Sequence, residues 1–228
     1  MADVYGYPDS SVLKNKLGIH DKEQLLMAEI RLVTIRLYQL QEQPVHGNFD
    51  LNHLCRIHEH IFQDLYPWAG KIRTVNIAKT NMFCLVQHIQ TYAQSVFPSY
   101  YTDCMRVKDN PERFISVFTE HYADLNALHP FREGNGRSTR LWLDAILKKE
   151  LRQVIDWSRV DKEDYLLAME RSPVKDLEIK TLLKAALTDR INDREVYMKG
   201  VDASYHYEGY DVFKTADIKV NALPKRLD

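Results

Sequence analysis

Residues Leu128 to Leu141 read LHPFREGNGRSTRL, and the course of the chain on either side follows from them. Pro130 follows His129, and a residue before proline is pushed out of the helical region, so a helix running down to Leu128 stops there. Gly134 and Gly136 permit a tight turn with positive φ. Beyond Gly136 the pattern is helical again, with Leu141, Trp142, Leu143, Ile146 and Leu147 on a buried stripe. The stretch is a helix, a loop and a helix N-terminus, with glycines at the join.

Such a join suits a bound phosphate. Free backbone N–H groups and the positive end of the helix dipole attract anions, and a Gly-rich turn can form an anion-holding nest. Arg137 and Arg140 lie three apart, so both guanidinium forks share one helix face near its start. Glu133 is an oxygen ligand of the kind Mg²⁺ takes alongside substrate phosphates. His129 is the natural general base. Taken singly, each has an ordinary reading: a polar helix cap, a solvated acid, a plain turn and a solvated basic face. One order and one spacing for all of them is not explained that way.

His129, Phe131, Glu133, Gly134, Asn135, Gly136, Arg137 and Arg140 fill every specified position of HxFx(D/E)GNGRxxR, and the chain thereby resembles Fic domains. The resemblance implies a mainly α Fic-fold helical bundle with a short β-hairpin flap. It also implies a protein adenylyltransferase that moves AMP from ATP to a Tyr, Ser or Thr hydroxyl of a target protein, or of itself. His129 is then the catalytic base, Glu133 the Mg²⁺ ligand, and Gly134, Asn135, Gly136, Arg137 and Arg140 the nucleotide cradle. Residues 70–84 correspond to the flap, where the target docks by strand pairing. Lys79 and Thr80 there are candidates for touching ATP, though an exposed turn lysine is an equal reading.

The tail carries the second informative segment. Ser204 and Glu208-Gly209 fit the (S/T)xxxE(G/N) pattern of inhibitory helices in some Fic proteins. The expectation is a Fic domain with its N-terminal arm over 1–200, and an inhibitory helix and tail over 201–228. Glu208 is expected to pair with Arg140 and block productive ATP binding. Tyr205, Tyr207 and Tyr210 are candidates for self-modification or plain packing aromatics. Other activities stay open: AMP removal, transfer of another phosphate-containing group, or non-catalytic nucleotide sensing. A phosphorylating relative has lysine at the second motif glycine, and Gly136 here argues against that variant.

The remainder bounds the answer. A 228-residue chain of net charge −1 reads as one globular domain and not as a generic binder of nucleic acid or membrane surfaces. No apolar run reaches transmembrane length, and MADVYGYPDS lacks the basic and apolar regions of a signal peptide. Cys55, Cys84 and Cys104 show no metal spacing, which agrees with a reduced, cytoplasmic protein. Tyr5 and Tyr7 beside Pro8 predict an N-terminal strap. Asp21 with Gln24 caps a helix to about Gln43. Asp50 caps another, which Pro67 ends. His53, His58 and His60 on that helix lack HExxH spacing and read as a packed or solvated face. Further helices are expected over His88–Asp103, Asn110–Leu128, Lys162–Arg171 and Asp176–Thr188, then a short one from an Asn192/Glu195 capping box to Met198. Self-association is expected from the short Fic class.

Overall fold

In the computed structural model, residues 4–79, 82–210 and 215 are described. They form eight α-helices and one small sheet. The helices are α1 (Lys22–Glu42), α2 (Leu51–Phe62), α3 (Ile89–Arg106), α4 (Pro111–Leu128), α5 (Asn135–Glu150), α6 (Lys162–Arg171), α7 (Leu177–Ala186) and α8 (Arg194–Tyr207). None of them is long and apolar enough to cross a membrane.

Helix starts follow short polar caps. The side chains of Asp21, Asp50, Asn110 and Asp161 each accept from a backbone N–H of the first turn. α5 is the central element. Its Trp142 is fully buried, with Phe97, Tyr100 and Phe49 meeting it edge-on at ring separations of 5.4, 5.1 and 6.1 Å. α4 buries Phe114, Phe118, Tyr122, Leu125 and Leu128, and its last residue delivers the motif loop.

Several local expectations change. α2 stops at Phe62, short of Pro67, because Leu65 and Tyr66 both turn back to donate to the Phe62 carbonyl at 3.0 Å. Among the described residues the flap hairpin shows one antiparallel bridge, Ala78 with Met82. The sheet lies elsewhere: β1 (Val154–Ile155) pairs antiparallel with β2 (Leu187–Thr188), strands too short to leave an alternating pattern. α8 is capped by Asp193, whose carboxylate accepts from Glu195 and Val196, and it runs unbroken through Met198 and across the 200/201 boundary. The N-terminal strap is present: Tyr5 meets Trp68 edge-on and Tyr7 stacks on His20.

α8 is seated by its aromatic residues. Tyr205 is fully buried, its hydroxyl 3.2 Å from Thr34 on α1. The Tyr207 hydroxyl reaches the carbonyls of Trp157 at 2.8 Å and Val160 at 2.9 Å. Having one proton, it donates to one at a time. Both rings are packing residues, unsuited to self-modification as they stand, and Tyr210 is half-buried. Tyr207→Phe is expected to lower unfolding free energy by about 1 kcal/mol, the usual worth of such a bond. Urea denaturation reads it, and an unchanged midpoint would mean the ring alone seats the helix.

Candidate functional site

Two left-handed residues bracket the motif loop. His129 closes α4 at φ 44°, ψ 62°, and Gly134 opens α5 at φ 77°. The non-glycine conformation of His129 is costly by itself and persists only where neighbours fix it. A Cβ on Gly134 would lie 2.2 Å from the Phe62 ring, so the position excludes a side chain on two counts.

The loop between them is pinned at its centre. The buried Phe131 ring stacks on His58 with centroids 3.9 Å apart. Asn135 grips the Phe131 backbone with both ends of its amide: Oδ1 accepts from the N–H and Nδ2 donates to the carbonyl, each at 2.8 Å. Its side chain is thus occupied, and what it offers a phosphate is its backbone N–H. His58 Nε2–H donates to the Glu133 carbonyl at 2.9 Å, and His58 Nδ1 accepts from Gly70 N–H at 2.8 Å. These two bonds require the neutral ring, and burial pushes its pKa down to about 3.

His129 is the mirror case. Its Nδ1 lies 3.3 Å from the Asn126 carbonyl, which can only accept, so Nδ1 carries the proton and Nε2 keeps its lone pair. Burial, with the Lys79 and Arg73 cations facing it, pushes its pKa down to about 3. The imidazole is neutral and able to accept a proton from Nε2. The Phe83 ring from the flap stacks on it with centroids 3.7 Å apart and planes 13° apart. Lys79 is exposed on the flap and acts on the site through its charge, while Thr80 lies outside the described residues.

The first amides of α5 have no intrahelical acceptor, so its start is an anion cradle. Glu133 leans into it, its Oε1 accepting from Gly134 N–H at 2.8 Å. A Cβ on Gly136 would meet Arg140 Nη1 at 3.0 Å, so this glycine lets Arg140 lie close to the backbone. Arg137 and Arg140 are both buried. Arg137 Nη2 donates to Glu29 on α1 at 2.7 Å and lies 3.8 Å from Glu133.

The tail glutamate arrives at these arginines with one difference from expectation. Glu208 Oε2 lies 3.0 Å from Arg137 Nε, whereas its Oε1 is 3.9 Å from Arg140 Nη2. Arg140 is taken up by other groups: Nε donates to Ser204 Oγ at 3.0 Å and Nη1 to the Tyr165 hydroxyl at 3.2 Å. Ser204 sits one turn earlier on α8, so it covers Arg140 and Glu208 falls over Arg137. Burial pushes the Glu208 carboxyl up to about 7, with the Arg137 cation opposing.

Four contributors escaped the sequence reading: Glu29, His58, Arg73 and Phe83. Glu29 lies four residues from both Leu25 and Val33 on the buried stripe of α1, and an acid in that stripe is a legible signal. His58 occupies the same kind of position between Leu54 and Ile61. Gly134→Ala is expected to lower unfolding free energy by about 2 kcal/mol or more, from positive φ together with overpacking against Phe62. Thermal denaturation would show it as a lowered Tm, and a wild-type Tm would contradict the close approach.

Residues 48–147 match the Fic/DOC family. The chain is 31% identical to "Protein adenylyltransferase VbhT" of Bartonella schoenbuchensis over 92% of its own length, while spanning 46% of VbhT. It is 33% identical to "Probable protein adenylyltransferase y4lH" of Sinorhizobium fredii, covering 77% of this chain and 90% of that protein. The crystal structure of the BepC protein of Bartonella tribocorum, with bound AMPPNP, has the same fold: TM-score 0.71 at 20% identity, over 81% of this chain and 96% of that one. Similarity along almost the whole of y4lH, added to the matched motif and the shared helical architecture, makes this chain a member of the Fic/DOC family.

Proposed function

We propose that the chain is a protein adenylyltransferase, joining AMP from ATP to a side-chain hydroxyl of a target protein. The observation that carries this is a neutral His129 whose Nε2 keeps its lone pair, on the loop that opens the α5 anion cradle. The names of VbhT and y4lH support the same activity. ATP lays its phosphates over Gly134 to Arg137, where backbone N–H groups meet charge as it builds. A Tyr, Ser or Thr hydroxyl held at the flap attacks the α-phosphorus in line. His129 Nε2 takes the hydroxyl proton, the bond from the α-phosphorus to the bridging oxygen breaks, and pyrophosphate leaves.

Mg²⁺ bound with a nucleotide asks for one or two carboxylates, the phosphates supplying most of the rest. Among the described residues no group of three His, Cys, Asp or Glu could hold a metal alone, and the single part-exposed Glu133 beside the cradle fits the smaller demand. Glu133 would hold the ion, which when bound neutralises phosphate charge.

His129→Ala is expected to lower AMP transfer by about a hundredfold or more, the typical share of a general base, and to leave ATP affinity near wild type. Mass spectrometry for added AMP and calorimetry with ATP read the two quantities. Undiminished transfer would remove His129 from the mechanism.

Glu208 is the brake in this reading. Its carboxylate holds Arg137 and reaches toward Arg140, the cations meant for the outer phosphates. Glu208→Gly is expected to raise transfer roughly tenfold, within the usual range of a coupling between sites. The carboxyl titrates near 7, so it is mostly ionised at pH 8 and mostly protonated at pH 6. The gain is therefore larger at pH 8. An equal gain at both values would mean that charge is not what holds the brake, and no gain at either would remove it.

The same carboxyl supports a second reading. A base titrating near neutral, beside the phosphate arginines, could activate water to remove AMP from a modified target. Release of AMP by the wild type and not by Glu208→Gly would favour it.

A further inference from the structure

One buried cation ties the flap to the general base. The Arg73 side chain is 1% exposed, and the four bonds made by its guanidinium and backbone N–H all go to carbonyls. Its Nε donates to the His129 carbonyl at 2.8 Å, and its backbone N–H to the Pro130 carbonyl at 2.9 Å. Nη1 donates to the Val75 carbonyl at 2.7 Å, on the outgoing limb of the flap, and Nη2 to the Cys84 carbonyl, on the returning limb. Cys84 N–H in turn donates to the Ala127 carbonyl at 2.8 Å, in the last turn of α4. The planar guanidinium presents its donors in a fixed fork, so the carbonyls it reaches hold a fixed relation to one another.

Two features of His129 are held from outside as well as from within α4. Its left-handed backbone is strained for a residue with a side chain; Pro130 turns it out of the helix and its N–H caps the Leu125 carbonyl, while its own carbonyl is held by Arg73. Its ring is tied to α4 by the Nδ1–H bond to the Asn126 carbonyl at 3.3 Å and faced from outside by the Phe83 ring at 3.7 Å. The Arg73 bond to the His129 carbonyl and the Phe83 stack bear on those two features, and both come from the flap.

We propose that Arg73 and Phe83 are positioning residues for His129: the guanidinium holds the histidine backbone in its left-handed turn and the Phe83 ring holds the imidazole plane. The segment that docks the target thereby also sets the base. This rests on His129 acting as the base of the proposed AMP transfer, but its geometric half stands without any reaction. Lys79 and Arg73 are the charged groups that face His129 and depress its proton affinity together with burial. Freeing the ring admits water and moves its titration upward, toward an ordinary histidine.

The experiment follows the His129 imidazole by NMR titration in the full chain, comparing wild type with Phe83→Leu, Phe83→Tyr and Arg73→Lys. Leucine keeps an apolar contact without the stack, tyrosine keeps the stack, and lysine keeps the charge without the fork. Phe83→Leu and Arg73→Lys are expected to raise the midpoint by about one pH unit or more, while Phe83→Tyr stays near wild type. In AMP transfer the first two lower kcat and move the acid limb of the pH profile upward, with the KM for ATP little changed. An unmoved midpoint in Phe83→Leu overturns the proposal, whatever happens to activity or Tm. So does a tyrosine variant that shifts as far as leucine. If Arg73→Lys does not fold, the two Phe83 variants still decide. Absence of AMP transfer from every protein, wild type included, would count against the activity and leave the titration to judge the positioning.

Discussion

Arg137 cannot shed its proton, and it stands in the interior of the protein with 1% of its surface exposed. A guanidinium in that position has to be surrounded by anions, and the fold is arranged to supply them. Glu29 comes from α1 at 2.7 Å, Glu208 from the end of α8 at 3.0 Å, and Glu133 from the motif loop at 3.8 Å. Glu29 is itself buried and accepts a hydrogen bond from the Tyr66 hydroxyl, in the turn after α2. One cluster thus joins α1, the turn after α2, the motif loop, α5 and α8. Removing a single partner from such a cluster typically costs about 3–5 kcal/mol, because the remaining charge is left uncompensated. That energy is poor value for stability alone and sensible where a further anion is meant to enter.

The loop above the cluster is rigid for a related reason. Left-handed residues at each end, the Phe131 ring on His58, the two-ended grip of Asn135 and the Arg73 fork leave the backbone little freedom. Ordering is completed on folding, so binding a nucleotide does not have to supply it. The two histidines at the loop divide the work by tautomer. His58 is protonated at Nε2 and consumed by structure, whereas His129 is protonated at Nδ1 and keeps Nε2 open. Both are neutral for the same physical cause, burial.

The motif could be read because its residues lie within one loop and one helix start. Pro130 and the glycines fix where α4 ends and α5 begins, and local rules govern both. The capped helices were legible on the same terms, those that open at Asp21 and Asp50 most plainly. What stayed hidden depends on contacts across the chain. Arg73 looks like one more basic residue in a polar segment, and its role comes from carbonyls 2 to 57 positions away. β1 and β2 are two residues each, too short for alternation to register. Glu208 does pair with Arg140, at 3.9 Å, but lies closer to Arg137, at 3.0 Å, because spacing along α8 puts Ser204 and Glu208 on one face without saying which arginine each meets most closely. That was decided by Ser204 taking the Nε of Arg140 first.

The two motif arginines are dressed differently, and the difference bears on which would feel the loss of α8. Arg137 holds a full carboxylate from Glu29, on a helix that precedes the motif, and would remain paired without Glu208. The carboxyl groups near Arg140 are Glu208 at 3.9 Å, from α8, and Asp144 one turn along α5, whose own burial pushes it up to about 7. Its hydrogen-bond and ring partners are neutral: the Ser204 and Tyr165 hydroxyls, and the rings of Tyr207, Trp157 and Tyr165 at 5.3, 5.7 and 5.8 Å. Ser204 and Tyr207 belong to α8, as does the more distant Glu208 carboxylate. With α8 withdrawn, Arg140 would keep one hydroxyl, the rings of Trp157 and Tyr165, and the Asp144 carboxyl, which burial pushes up to about 7, an environment that holds a cation weakly. An incoming phosphate would meet its strongest uncompensated charge there. The residue that binds the tail glutamate most closely need not be the one that the glutamate most affects: Arg137 carries the contact, and Arg140 carries the vacancy that follows its removal.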